Sequence, residues 1–273
     1  MCGIAGWNIA PGERNKIDRR RLTAALIDEI QSRGRDATGV ATWRKGGDKI
    51  SVRKRNVSGT AFIRSGRISE IIDRSTVTAM IHTRYATQGK PKVNGNNHPI
   101  ISPPVVGVHN GHVSNDDAIF RGLPEGTRRA EVDSEAIFAL LANAPEPVDE
   151  LLPQVKGGAA VAWLDKREAR DEFGPALNLA RIRRSPLAVG QTAAGSVIFA
   201  STMDHLTRAC GTAGVDLEWT LDLGEAERMV VKRGVILTYQ EIPDIDLAPA
   251  APMRYLDGST DDDHRPVHSW TLG

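Results

Sequence analysis

Short runs of apolar residues, each bounded by polar or glycine-rich sequence, recur along the chain and predict many short strands. One run covers residues 2–9 at the N-terminus. In the second half, further runs of strand length occupy residues 159–164, 177–182, 187–190, 197–200, 229–231 and 235–239. Short strands joined by tight turns, with helices elsewhere, favour antiparallel sheets covered by helices over a βαβ repeat.

Apolar residues spaced for one face of a helix predict four helices. After Asp18, which suits a cap position, Leu22, Leu26 and Ile30 recur every four residues and predict a helix that Gly34 ends. The other helices are predicted over residues 61–73, 133–141 and 203–210.

Two predicted strands lead directly into polar sequence. Residues 77–81 are followed by His82-Thr83-Arg84-Tyr85-Ala86-Thr87-Gln88-Gly89, and residues 105–108 by His109-Asn110-Gly111. Polar side chains at the end of an apolar strand are a common way to mount a site on a rigid scaffold. Residues 90–104, between the two strands, are long enough to form a lid. A hairpin is predicted from strands at 38–44 and 49–55.

Charge and cysteine content narrow the function classes. The chain has 273 residues, with 35 Lys and Arg against 34 Asp and Glu. This balance gives no general attraction to nucleic acid or to an anionic membrane, and no apolar run reaches the ~20 residues that span a bilayer. The two cysteines, Cys2 and Cys210, are too few for a disulfide framework, which fits a reducing cytoplasm. Cys210 is expected to be a small buried apolar residue.

Cys2 directly follows the initiator methionine. Removal of Met1 would leave a thiol and a free α-amine on one residue, so that nucleophile and base arrive together near neutral pH. The central hypothesis is therefore that the first strand begins at a reactive N-terminal Cys2.

A set of ordered motifs carries a family resemblance. The motifs are Cys2-Gly3-Ile4-Ala5-Gly6, Arg33-Gly34-Arg35-Asp36-Ala37-Thr38-Gly39, His82-Thr83-Arg84-Tyr85-Ala86-Thr87, Asn97-His98-Pro99, His109-Asn110-Gly111 and Asp133-Ser134-Glu135. In this order they resemble the class II glutamine amidotransferases, and most of all the glutaminase domain of glucosamine-6-phosphate synthases. The resemblance implies an α+β fold, the four-layer αββα sandwich of N-terminal nucleophile (Ntn) hydrolases, with two antiparallel sheets between helices. It implies a glutaminase domain over residues 2–242, followed by a Pro- and Asp-rich tail over 243–273.

The same resemblance assigns roles to individual residues. Cys2 would be the nucleophile, and Asn110 with the Gly111 backbone N–H would form the oxyanion hole. The substrate-binding residues would be Arg84, Tyr85, Thr87, Gln88, Gly111 and Asp133, with Arg84 on the α-carboxylate of glutamine and Asp133 on its α-ammonium. Asp36 is expected to hold a loop. Tyr85, Gln88 and His112 depart from the residues usual in the family, which are tryptophan, histidine and isoleucine.

The expected function is that of a stand-alone cytoplasmic glutaminase that needs no cofactor. It would hydrolyse L-glutamine through a Cys2 thioester and supply ammonia to a separate synthetase or synthase. One alternative is an Ntn amidohydrolase that cleaves another γ-glutamyl amide without an acceptor, and another is a non-catalytic module on a decayed scaffold. A metal site at His82, His109 and His112 is disfavoured because no carboxylate or cysteine partner lies at useful spacing, so His82 and His109 are interpreted as scaffold residues.

Overall fold

A computed structural model describes residues 1–245 and 247. These residues form two antiparallel sheets with α-helices on their outer faces. The strands are β1 (Gly3–Asn8), β2 (Ala37–Arg44), β3 (Ser51–Arg55), β4 (Thr76–Arg84), β5 (Ile100–Ser102), β6 (Val105–Val113), β7 (Gly157–Asp165), β8 (Leu177–Arg183), β9 (Ala188–Gln191), β10 (Val197–Ala200), β11 (Trp219–Asp222), β12 (Glu227–Lys232) and β13 (Val235–Glu241). The helices are α1 (Arg19–Ile30), α2 (Gly59–Arg64), α3 (Arg67–Ile71), α4 (Asp116–Arg121), α5 (Ser134–Asn143), α6 (Val148–Leu151) and α7 (Met203–Ala213).

The first sheet brings the start of β1 next to the end of β4. Its seven strands follow the order β11-β9-β10-β1-β4-β2-β3. In the antiparallel pair β1–β4, Gly3 lies opposite Thr83 and Asn8 lies opposite Thr78. Cys2 and Arg84 therefore share one end of the sheet, as the motif positions require.

The second sheet presents the other half of the predicted site. Its six strands follow the order β13-β12-β8-β7-β6-β5. Strand β6 continues through His109, Asn110 and Gly111 to Val113, where the sequence predicted an end near residue 108. Its backbone stays paired because Gly111 lies opposite Ala159 of β7. Asn110 and Gly111 are thus held within a strand.

Three apolar layers hold the elements together. One lies between the first sheet and α1 and α7, the second lies between the two sheets, and the third lies between the second sheet and α5. Along β1, Ile4 faces the second layer, whereas Ala5 and Trp7 face the first. Because both faces of the strand are buried, its sequence is continuously apolar. The layers make up the αββα sandwich that the sequence predicts.

Several elements differ from the sequence-based prediction. The helix predicted over 61–73 is two helices, α2 and α3, separated at Gly66, whose positive φ of 74° breaks helical geometry. The loop predicted over 90–104 ends in the short strand β5, which pairs with β6. Strand β11 and helices α4 and α6 were not predicted because each is too short to show a periodic pattern. The predicted tail lies outside the described residues from residue 248 onward, as does residue 246.

Candidate active site

Cys2 lies at the start of β1 and is partly buried. Its Sγ donates a hydrogen bond to the backbone oxygen of Tyr85 at 3.5 Å. Burial raises the pKa of the Cys2 thiol, the positive charge of Arg84 lowers it, and the negative charge of Asp133 raises it. The thiol is therefore protonated near neutral pH and needs a base before it can act as a nucleophile.

Arg33 contacts the backbone of Cys2 and the side chain of Met1. It ends the 3₁₀ turn Gln31–Arg33 that follows α1. Its Nε donates to the carbonyl oxygen of Cys2 at 2.8 Å, and its Nη2 contacts Met1 Sδ at 3.5 Å. Met1 itself is 76% exposed. Removing Met1 would keep the Arg33–Cys2 contact and would convert the Cys2 nitrogen from an amide into an amine.

The segment after α1 supports the turn that follows β4. Gly34 packs so closely that a Cβ there would lie 2.3 Å from the carbonyl carbon of Arg84. The backbone nitrogen of Asp36 donates to Arg84 O at 2.9 Å, and Asp36 Oδ2 accepts a hydrogen bond from Ala86 N at 2.7 Å. The prediction that Asp36 holds a loop is confirmed.

Arg84, the last residue of β4, is 3% exposed and bound by the loop that follows it. Its Nη1 donates to Asn97 Oδ1 at 2.7 Å, and its Nη2 donates to the carbonyl oxygens of Gln88 and Gly89. Burial lowers the pKa of Arg84, and the nearby Cys2 and Asp133 oppose that effect. All three of these hydrogen bonds go to Asn97 and to the loop after β4, so the guanidinium is held by that loop.

Asn110 and Gly111 face the Cys2 end of the first sheet from β6. The two strands β4 and β6 are tied where His82 Nε2 donates to the backbone oxygen of His109 at 3.1 Å. Asn110 is 1% exposed, yet neither its Nδ2 nor its Oδ1 has a hydrogen-bond partner among the described residues. Leaving a buried amide unsatisfied costs about 1–3 kcal/mol, so such groups call for an explanation.

Gly111 adopts a backbone conformation that side chains disfavour. Its φ is 146°, and a Cβ at this position would lie 1.9 Å from the carbonyl oxygen of Gly158. The residue is exposed, so its surroundings on the other side are open. Glycine is required here by both strain and space.

Asp133 is held rigidly at the start of α5. Its Oδ1 accepts a hydrogen bond from Ser134 N at 2.8 Å, and its Oδ2 accepts one from Val113 N at 2.7 Å. His112 Nδ1 lies 3.2 Å from the same Oδ2, and the His112 side chain is 73% exposed. The Oδ2 atom of the carboxylate is therefore shared between the Val113 backbone of β6 and the exposed His112 imidazole.

Gln88 connects the two charged residues predicted to bind substrate. Its backbone oxygen accepts from Arg84, and its side-chain Oε1 accepts from the backbone nitrogen of Asp133 at 3.3 Å. The loop that carries Gln88 is also anchored by Asn96, whose Nδ2 donates to Glu131 Oε2 at 2.8 Å. Tyr85 and Thr87 lie in the same loop with exposed side chains.

The imidazoles of His82, His98 and His109 form a buried cluster. The sequence alone assigns no role to His98. The rings of His82 and His98 stack with centroids 4.0 Å apart, and those of His98 and His109 lie 6.5 Å apart. Burial lowers the pKa of His82 to about 3 and that of His98 well below its usual value, so both rings are neutral. His109 Nδ1 lies 2.8 Å from Ser134 Oγ, which follows Asp133. His82 and His109 are scaffold residues, as predicted.

Lys54, on β3, was also missed. Its Nζ donates to Asn97 O at 2.6 Å and to Pro99 O at 3.0 Å. Burial and the neighbouring Arg84 lower the pKa of Lys54 to about 8. The motif Asn97-His98-Pro99 is the sequence signal that points to this contact. Its residues accept hydrogen bonds from Arg84 on β4 and from Lys54 on β3.

Comparisons with known proteins agree with this arrangement. A family model of the glutamine amidotransferase domain matches residues 82–208, a segment that includes Arg84, Asn110 and Asp133. The chain is 29% identical over 221 residues to a glutamine–fructose-6-phosphate aminotransferase (isomerizing) of Halalkalibacterium halodurans, a match covering 76% of this chain and 33% of the relative. For the enzyme of the same name from Rhizobium meliloti, identity is 31% over 199 residues, covering 70% and 30%. The chain belongs to the class II glutamine amidotransferases.

Solved structures show the fold of this class II amidotransferase in other proteins. A glutamine phosphoribosylpyrophosphate amidotransferase from B. subtilis superposes with a TM-score of 0.69 at 17% identity, covering 88% of this chain and 49% of that one. A glutamine aminotransferase class-II domain protein from Silicibacter pomeroyi gives a TM-score of 0.55 at 13% identity, covering 88% and 99%. The predicted Ntn-hydrolase sandwich is confirmed.

The amidotransferase spans about a third of the length of the curated relatives it matches. In the part of the chain that the structure describes, no helix is long and apolar enough to cross a membrane. Over those same residues, no group of three or more His, Cys, Asp or Glu side chains is arranged to hold a metal ion.

Proposed function

We propose that this amidotransferase hydrolyses L-glutamine to glutamate and ammonia through a γ-glutamyl thioester on Cys2, and that it supplies the ammonia to a separate acceptor enzyme. The observation that carries the proposal is the buried, unpartnered amide of Asn110 beside Gly111, on the strand facing Cys2. Unused donors kept out of water are suited to a charge that exists only during the reaction.

The chemistry follows from one residue and its own nitrogen. After Met1 is removed, the Cys2 α-amine takes the thiol proton, and Sγ attacks the side-chain carbonyl of glutamine. The new S–C bond makes a tetrahedral oxyanion, which Asn110 Nδ2 and the Gly111 N–H stabilise. The C–N bond then breaks, and the proton on the amine passes to the departing ammonia. Water, deprotonated by the same amine, hydrolyses the thioester and returns the thiol.

The remaining residues choose an amino acid over a simple amide. Arg84 would bind the α-carboxylate of glutamine, and Asp133 would bind its α-ammonium. Gln88 accepts hydrogen bonds from Arg84 through its backbone oxygen and from the Asp133 backbone through its side-chain oxygen. The loop that carries Gln88 would therefore respond to the binding of both charged groups of the substrate. Tyr85 and Thr87, exposed on that loop, would contact the substrate as it closes.

The proposed catalytic unit covers residues 2–242, and its proposed setting is the cytoplasm with a synthetase or synthase partner. Ammonia is mostly protonated near neutral pH, and the ammonium ion is not a nucleophile. Transfer through a shared interface would deliver it in the reactive form. The curated relatives are named for amino transfer to fructose 6-phosphate, and this chain covers about a third of their length.

Intact-mass analysis with a reactive glutamine analogue tests the first half-reaction. The expected spectrum shows a chain that lacks Met1 and carries one adduct, which Cys2→Ala abolishes. Assays of glutamine against other γ-glutamyl amides, without a partner, separate a glutaminase from a general amidohydrolase. Retention of Met1 in active protein, or near-normal ammonia release by Cys2→Ala, would refute the mechanism.

A further inference from the structure

A second cleft lies at the opposite end of the first sheet from Cys2. It has a volume of about 800 Å³ and is formed by residues 14–20, which follow β1, and residues 72–75, which precede β4. Since Asn8 pairs with Thr78 at that end of the strands and Gly3 pairs with Thr83 at the other, the cleft is remote from the predicted glutamine site.

A buried arginine in this cleft has unsatisfied donors. Arg19 is 5% exposed, and neither its Nε nor its Nη2 has a hydrogen-bond partner among residues 1–245. The Nε of the neighbouring Arg14 is also buried and has no hydrogen-bond partner among these residues. Burial and the charge of Arg14 lower the pKa of Arg19, which shows that its environment disfavours the positive charge. A buried cation with unmade hydrogen bonds is costly unless an anion completes it.

The charges around Arg19 are unbalanced. The lining contains five cations, Arg14, Lys16, Arg19, Arg20 and Arg74, and two anions, Asp18 and Asp73. The chain as a whole has a net charge of only +1, so the excess is local.

Both carboxylates of the cleft already have partners. Asp18 caps α1 by accepting from the backbone nitrogens of Arg20 and Arg21. Asp73 accepts from Ser75 N at 2.8 Å and pairs with Arg44 Nε at 3.0 Å. Arg19 thus remains without a hydrogen-bonded counter-ion, and the N-terminus of α1 adds partial positive charge.

We propose that this cleft binds the phosphate or diphosphate group of a small molecule, with Arg19 as its buried anchor and Arg14 and Arg74 completing the contact. A guanidinium offers paired donors that match phosphate oxygens. Because Arg19 is buried, only a group small enough to reach it can bind there, which excludes a rigid polyanion such as duplex nucleic acid.

Calorimetric titration with inorganic pyrophosphate and inorganic phosphate tests the site in the full chain. Wild type and the control Arg121→Gln, an exposed arginine on α4, are expected to bind pyrophosphate saturably at one site per chain. Arg19→Gln is expected to weaken binding about tenfold or more, since a hydrogen bond to a charged group contributes about 1.5–3 kcal/mol. Arg74→Gln, at the exposed lip, should weaken it about threefold.

Thermal unfolding supplies a readout that separates lost binding from lost folding. Pyrophosphate should raise the Tm of wild type and Arg121→Gln, because a ligand that binds only the folded state stabilises it. At the same pyrophosphate concentration it should raise the Tm of Arg19→Gln less than that of wild type. The ligand-free variant should be at least as stable as wild type, because an unpaired buried charge is gone.

Three results would overturn the proposal. Wild type could fail to bind pyrophosphate saturably, or Arg19→Gln and Arg74→Gln could bind as wild type does. Equal affinity for citrate would remove the phosphate preference.

Discussion

At the scale of single residues, two buried asparagines differ in whether their side-chain amides are hydrogen-bonded. Asn8 Nδ2 donates to Thr78 Oγ1 at 2.8 Å, and its Oδ1 accepts from Gly234 N at 2.7 Å. Asn110 makes neither kind of bond within the described residues. The Asn8 amide is therefore hydrogen-bonded through both its nitrogen and its oxygen, whereas the Asn110 amide is free to bind the proposed oxyanion.

Replacing each asparagine by alanine should therefore give opposite results. Asn110→Ala is expected to lower kcat about 100- to 1000-fold with little change in KM, because an oxyanion donor acts in the transition state. Its free energy of unfolding should stay near that of wild type. Asn8→Ala should lose about 1–3 kcal/mol of stability and keep its kcat. Steady-state kinetics and urea unfolding measure both, and a stability loss without a kcat loss in Asn110→Ala would contradict the assignment.

His112 competes with the predicted substrate ammonium for Asp133. Its Nδ1 lies 3.2 Å from the carboxylate oxygen that would face glutamine. His112→Ala should lower the KM for glutamine about two- to fivefold, in line with the small energy of an exposed polar contact, and leave kcat unchanged. His205→Ala, far from Asp133, is the control. A raised KM in His112→Ala would show instead that the imidazole helps to bind substrate.

At the scale of elements, strand and helix glycines have opposite roles. Gly111 in β6 has a φ of 146° and no room for a Cβ, whereas Gly211 in α7 is exposed with no atom within 4 Å of a Cβ. Gly211→Ala is expected to stabilise the protein by about 0.5–1 kcal/mol through helix propensity. Gly111→Ala should destabilise it and reduce kcat, since the strand must shift away from Gly158. Urea unfolding and glutaminase assays measure both effects. A Gly111→Ala variant with the stability and kcat of wild type would contradict the requirement for glycine at this position.

The elements also show why much of this fold can be predicted from sequence and why some of the site cannot. Apolar runs such as β10 (Val197–Ala200) match their predicted bounds because both faces are buried. The contact of Lys54 with Asn97 and the stacking of His98 on His82 depend on how β3 and the loop before β5 meet, which local patterns do not encode. The link from Gln88 to Asp133 likewise joins residues 45 positions apart.

At the scale of the whole molecule, buried titratable groups couple stability to pH. The pKa of Lys54 falls from an unfolded value of 10.5 to about 8, so between these values the unfolded chain binds more protons than the folded one. Stability contributed by this group therefore rises with pH across that window. Lys54→Met should remove that rise when unfolding free energies are compared with wild type from pH 8 to 10.5. Cys210→Ala, which removes a buried thiol whose pKa is shifted in the opposite direction, is the comparison variant.

Cys210 tests the opposite sign in the same experiment. Burial raises the pKa of its thiol from 9.0 to about 12, so its contribution is full below pH 9 and is lost as the pH rises toward 12. Cys210→Ala should then show a shallower alkaline loss than wild type. If the Lys54 and Cys210 variants changed the pH profile in the same direction, the buried charges would not be the cause.

We expect the third apolar layer to set the C-terminal boundary of the proposed catalytic unit. Ile242 is 3% exposed within that layer, and Ile245 packs against it. A chain that ends at residue 247 keeps both contacts, so we expect its kcat/KM for glutamine within twofold of the full chain and its unfolding free energy within about 0.5 kcal/mol. A chain that ends at residue 234 lacks β13, which exposes the edge of β12, and should lose several kcal/mol or fail to fold. If the chain that ends at residue 247 lost glutaminase activity, the proposed unit would need residues beyond 247, because the catalytic residues and all three layers would still be present.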